Sequence, residues 1–134
     1  MGQCVAINDD EQKLIVIRAI DKLERIGVNG VEQLLKKGRK DQSGDFTSGA
    51  DLSDIQTSEV INFLKLKDIS DIKNILTDKL AKEGINEIQK ILEGIKYSGY
   101  ESQINFNPTV VRGLEYYTGA IFEANLTFKV KNLK

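Results

Sequence analysis

The chain has no histidine, one cysteine, Cys4, and one proline, Pro108. One thiol and no imidazole exclude both a His/Cys zinc constellation and an intrachain disulfide, so no metal site is expected. The sparse cysteine usage fits a reducing compartment. No apolar run approaches the length needed to cross a bilayer, and no signal-peptide core is present, so no membrane partner is expected either. Charge of one sign is lacking too: 19 Lys and Arg stand against 20 Asp and Glu. No global field then marks the chain as a nucleic-acid or membrane binder, and any RNA contact has to be local. The opening "MGQCVA" is close to a myristoylation signal beside a palmitoylated cysteine, but Ala6 stands where that signal needs Ser or Thr. Cys4 is read instead as a small apolar residue.

What is present is 134 residues with 40% hydrophobic content, compatible with a single core. "NDDEQKLIVIRAIDKLERIG" predicts one long helix, with Asn8 and Glu11 at capping-box spacing, Leu14, Ile17, Ile20, Leu23 and Ile26 near helical period, and Gly27 as a stop. "VNGVEQLLKKG" predicts a shorter helix ending at Gly38. Residues 38 to 54, with glycines at 38, 44 and 49 and no apolar period, read as a mobile loop. Its charges are sorted, Lys36, Lys37, Arg39 and Lys40 ahead of Asp41, Asp45, Asp51 and Asp54. A solvated loop whose charges neutralise one another is favoured there over a phosphate-binding loop.

Thr57 or Ser58 opens the next expected helix, and Asp68 caps another that closes before Gly84, with Ile69, Ile72, Ile75, Leu76 and Leu80 on one face. A last helix carries Ile85, Ile88, Ile91, Leu92 and Ile95. Such stripes form cores and say nothing about chemistry. After Gly99 the period changes. Ala120, Phe122, Ala124, Leu126, Phe128 and Val130 alternate with Glu123, Asn125, Thr127 and Lys129, the pattern of a half-buried strand. "INFNP" predicts a second strand, ended by Pro108. Two strands alone are marginal in water, so this tail is expected to belong to a larger sheet.

From between the two strands into the second runs "RGLEYYTGAIFEA". In a regular strand Arg112, Leu114 and Tyr116 would face one side and Gly113, Glu115 and Tyr117 the other, burying an arginine without a partner. Read from spacing alone, the stretch is an Arg–Glu pair with tyrosines at a sheet rim. These thirteen residues also resemble the signature of the histidyl-tRNA synthetases, class II enzymes with Arg-Gly-Leu-Asp/Glu-Tyr-Tyr, then Thr-Gly and a strand ending in Phe-Glu. Here Glu115 stands where Asp is more usual. "RAIDKLERIGVNGVEQLL" and "GRKDQSGDFTSGADL" are similar to the helical insertion domain of bacterial members.

The resemblance implies a mainly α chain: a helical insertion bundle over residues 1–99, then a partial catalytic-core segment, 100–134, belonging to the antiparallel sheet of an α+β parent. The class II dimerisation motif, the ATP-clasping second motif, the third motif and the anticodon-binding domain find no counterpart, so an inactive segment of a longer enzyme is expected. In that parent, a cytoplasmic homodimer, histidine is activated with ATP to histidyl-adenylate and transferred to tRNA(His). ATP is a substrate, accompanied by Mg, and neither is expected on this segment. Arg112 is implied as the catalytic cation at the α-phosphate and as part of the histidine pocket. An arginine suits that place because its planar fork pairs two oxygens and never loses its charge. Tyr116 and Tyr117 are implied to line the same pocket, where a phenol can both donate to and accept from an imidazole. Gly113 would let the backbone leave strand geometry, and Glu115 would orient Arg112 or a tyrosine. Lys36, Lys37, Arg39, Lys40, Lys65 and Lys67 are the implied tRNA phosphate contacts. A non-catalytic synthetase-like regulatory subunit and a helical protein-interaction module are the alternatives.

Overall fold

A computed structural model describes residues 7, 9–113 and 117–129. Helix α1 spans Asp10–Asp21 and α2 spans Leu23–Leu35. Gly27 interrupts α2 at φ 69°, ψ 175°, so the helix bends where the sequence expects a stop. The cap of α1 is Asp9, whose carboxylate accepts from the Glu11 amide at 3.2 Å. The expected Asn8 lies outside the described residues. Val16, Ala19 and Ile20 of α1 and Val31, Leu34 and Leu35 of α2 are buried against one another. The valine, leucine and isoleucine side chains among them contribute roughly 1.5–3 kcal/mol each when fully buried.

Residues 38 to 54 are not the loop that their composition suggests. Strands β1 (Gly38–Lys40) and β2 (Phe46–Ser48) pair antiparallel, with Arg39 opposite Thr47. Three residues are too few to display an alternation, which is why the hairpin is hidden in the sequence. Asp41 makes its turn, accepting from the Ser43 and Asp45 amides at 2.9 and 3.1 Å. These bonds, the Ser43 hydroxyl foremost, hold its carboxyl below the usual range. Beyond β2 the chain returns to α2. The amides of Gly49, Ala50, Asp51 and Leu52 donate to the carbonyls of Lys37, Leu34, Lys36 and Leu35, satisfying groups that a helix C-terminus leaves unpaired. Ala50 and Leu52 thereby enter the core.

Helix α3 (Asp54–Leu64) begins earlier than expected. Ser53 and Gln56 form its capping box, and Thr57 is inside the helix and buried. Its Val60, Ile61 and Leu64 pack against the core. Asp68 caps α4 (Ile69–Ile75), accepting from the Ser70 amide at 2.8 Å, as the sequence indicates. The break that follows falls at 76–78 and not at Gly84, because Asp78 caps α5 (Lys79–Tyr97) through the Ala81 amide. Gly84 and Gly94 are interior to that helix. Helices α4 and α5 pack on each other, with Ile72 and Ile85 buried.

The chain is mainly helical with a small antiparallel sheet, but the strands are not those the alternation marks. Among the described residues, 104–107 and 119–129 form no strand, and Phe122, Leu126 and Phe128 are about two-thirds exposed or more. Alternation fixes which side chains share a face. It does not supply the neighbouring strand to which the backbone must bond.

Candidate active site

Residues 107 to 113 bring the signature onto the helical core. Asn107 folds an Asx turn, its side-chain oxygen accepting from the Thr109 amide at 2.9 Å and the Thr109 hydroxyl at 2.7 Å. Val111 then packs against the α1–α2 core. Arg112, the next residue, reaches the end of α1. Its Nη1 donates to Asp21 Oδ1 at 2.9 Å, and its Nε donates to Glu123 Oε2 at 3.4 Å. Nη2 lies 3.6 Å from Glu24 Oε2. The Arg112 side chain is half exposed. The charge of Asp21, then the Glu123 bond and charge, raise its pKa above the ordinary arginine value.

Gly113 has φ 68°, and a β-carbon there would run into the ring of Tyr117. Glycine is required twice over, by the left-handed backbone and by the close approach. The Tyr117 amide donates back to the Gly113 carbonyl at 3.1 Å. Arg112, Tyr117, Ala120, Ile121, Phe122 and Glu123 line an open depression of about 570 Å³, in which Tyr117 is 61% exposed. One implied pocket tyrosine and the implied cation therefore share a surface. Tyr116 and Glu115 lie outside the described residues. The described carboxylates that meet Arg112 are instead Asp21, Glu24 and Glu123, none of which the sequence reading singled out. Glu123 had a signal, as the Glu of Phe-Glu. Asp21 had none, being 91 residues away in the chain.

The six implied tRNA contacts divide into two groups. Lys36 bonds Asp54 at 2.9 Å and Glu32 at 3.1 Å, and Lys37 bonds Asp51. Their charges are neutralised locally, as a solvated, self-compensating segment requires. Arg39, Lys40, Lys65 and Lys67 have no carboxylate partner among the described residues. Lys65 and Lys67 border an open groove with Phe106, Asn107 and Pro108. No helix among the described residues is long and apolar enough to cross a membrane.

Comparison with known proteins gives a consistent relationship. Over 127 residues the chain is 50% identical to the histidine--tRNA ligase of Pelagibacter ubique, covering 93% of this chain and 27% of that protein. Over 129 residues it is 46% identical to the histidine--tRNA ligase of Rhizobium rhizogenes, covering 92% and 26%. Over 134 residues it is 43% identical to the Rhizobium meliloti protein of the same name, covering 96% and 27%. No protein-family model matches the chain, and no solved structure matches it. The chain thus spans about a quarter of the length of the curated relatives it matches. Over that quarter, the chain is a homologue of the histidine--tRNA ligases.

Proposed function

We propose that this chain supplies the helical insertion and the start of the histidine-binding signature to a ligase that joins histidine to tRNA(His). The identity of 43–50% to histidine--tRNA ligases across more than nine-tenths of the chain carries this reading. The division near residue 99 is part of the proposal, supported by the last helix ending at Tyr97.

In the proposed reaction the histidine carboxylate attacks the α-phosphorus of ATP, and the bond to pyrophosphate breaks. Negative charge grows on the phosphoryl oxygens in that transition state. A fixed guanidinium stabilises that charge without first having to reorganise. Arg112 is fixed and charged, and half its surface is open to a ligand. Tyr117 borders the same depression and offers a hydroxyl suited to an imidazole nitrogen. Tyr116 is assigned to the histidine pocket on resemblance. Mg, which accompanies ATP in such reactions, finds no ligand set among the described residues, so no step is assigned to it. Arg39, Lys40, Lys65 and Lys67, which have no carboxylate partner among the described residues, are better tRNA phosphate contacts than Lys36 and Lys37, whose charges are already matched. Cytoplasmic location and a homodimeric parent follow from the family resemblance.

A second reading has a specific observation behind it. Arg112 meets three carboxylates, as a structural ion-pair partner would. Histidine-dependent exchange of pyrophosphate into ATP tests the proposal. The full-length protein carrying this segment should exchange, and the 134-residue chain should remain at background. No exchange by the full-length protein with histidine refutes the ligase assignment.

A further inference from the structure

Resting on the assignment of Arg112 to the reacting phosphate, we infer that Asp21 is the positioning residue for that arginine, joining the helical insertion to the chemistry. The three contacts of Arg112 differ in kind. The Nη1–Asp21 distance of 2.9 Å is that of a full charge-assisted hydrogen bond, whereas Glu123 at 3.4 Å and Glu24 at 3.6 Å are long. Glu24 is also 76% exposed, and so is the contact most readily given up to water.

Rigidity points the same way. Asp21 is the last residue of α1 and follows directly on Ala19 and Ile20, both buried in the core. Val111 packs against that same core immediately before Arg112. One apolar anchor and one polar bond thus fix both ends of the arginine side chain. A site held on a helix by packed neighbours is more accurately placed than one held by a loop.

Charge decides which contacts a substrate displaces. Three carboxylates around one guanidinium would leave excess negative charge against an incoming phosphate. A phosphate that takes over the Nη2 and Nε edges displaces the two long contacts and leaves the short one. Asp21 then stays bonded to Nη1 throughout, and the planar fork keeps the orientation that two-oxygen pairing needs.

The test is a double-mutant cycle in the full-length protein, reading histidyl-adenylate formation. Asp21→Asn is nearly isosteric and keeps a hydrogen-bond acceptor. Misplacement of a charge stabiliser by about 1 Å costs up to roughly a hundredfold, so Asp21→Asn should lower kcat about ten- to a hundredfold with little change in KM for histidine. Asp21→Glu should recover part of the loss, and Glu24→Gln should change kcat less than about threefold. In an Arg112→Ala background Asp21→Asn should add less than about twofold, because the residue it acts through is gone. Three results would overturn the inference while leaving the ligase reading intact. These are full additivity with a crippling Arg112→Ala, an unchanged kcat in Asp21→Asn despite a lowered melting temperature, and a raised kcat, which would make Asp21 a restraint. An Arg112→Ala variant with normal kcat would overturn both the inference and the assignment of Arg112 to the reacting phosphate, and a full-length protein that forms no histidyl-adenylate would overturn the ligase reading itself.

Discussion

Thr57 sits on α3 with 2% of its surface exposed, and its Oγ1 has no hydrogen-bond partner among the described residues. A buried hydroxyl left unpaired costs about 1–3 kcal/mol. Valine has nearly the same shape and branching, so Thr57→Val keeps the packing and removes the unpaired group. Helix propensities of the two residues are close, and no backbone term offsets the gain. The expected result is a stabilisation of about 1–2 kcal/mol, seen as a melting temperature higher by about 3–6 °C. Thr57→Ser makes the opposite test, since it keeps the hydroxyl and deletes a buried methyl, which costs about 1 kcal/mol. Far-UV circular dichroism during thermal and urea unfolding should rank the variants valine, wild type, serine. A Thr57→Val protein no more stable than wild type would refute the reasoning, because the hydroxyl would then have to be hydrogen-bonded.

Two further substitutions probe the hairpin and the charge pairing. Gly38 has φ 116°, and a β-carbon there would meet the Thr47 carbonyl and the Gly49 amide across the hairpin base. Gly38→Ala should cost at least about 1–3 kcal/mol in urea unfolding, and clearly more than Gly44→Ala, where φ is also positive but the space is open. The Lys36 ammonium holds the Asp54 carboxyl below its usual range, by hydrogen bond first and charge second. A depressed carboxylate contributes stability above its unfolded pKa and loses it as pH falls through the folded value. The melting-temperature gap between wild type and Asp54→Asn should therefore be present at neutral pH and close below about pH 4. A gap that is constant from neutral pH to pH 2 would show that the pair contributes nothing through ionisation.

The helices were legible because their signals are local. The Ile and Leu stripes of α1 and α5 repeat at 3.6 residues, and Asp68 announces its helix by its place before one. The boundary errors came from competing caps. Ser53 with Gln56 outcompetes Thr57 and Ser58, and Asp78 starts a helix strong enough to run through Gly84 and Gly94. What was illegible depends on partners distant in sequence. The β1–β2 hairpin is too short for a period, and its base is fixed by close backbone approach at Gly38 and Gly49. At the proposed site, Arg112 and Tyr117 come from the resemblance to the signature, whereas the Asp21 bonded to the arginine is visible only once the chain is folded. The apolar alternation of 120–128 is real in the sequence, yet Phe122, Leu126 and Phe128 stay exposed where, among the described residues, no second strand lies beside them.

The most direct test of the central claim is single-turnover formation of histidyl-adenylate by the full-length protein with Arg112 and with Arg112→Ala. If the guanidinium stabilises charge developing at the α-phosphate, the substitution should lower the rate of adenylate formation by on the order of a hundredfold or more, with KM for histidine changed far less. Lysine should restore only part of the rate, because an ammonium lacks the two-pronged geometry. Tyr117→Phe should show the reverse balance, weakening histidine binding more than the chemical step. A normal adenylation rate in Arg112→Ala, with only weakened binding or lowered stability, would contradict the account and leave Arg112 as an ion-pair partner of Asp21, Glu24 and Glu123.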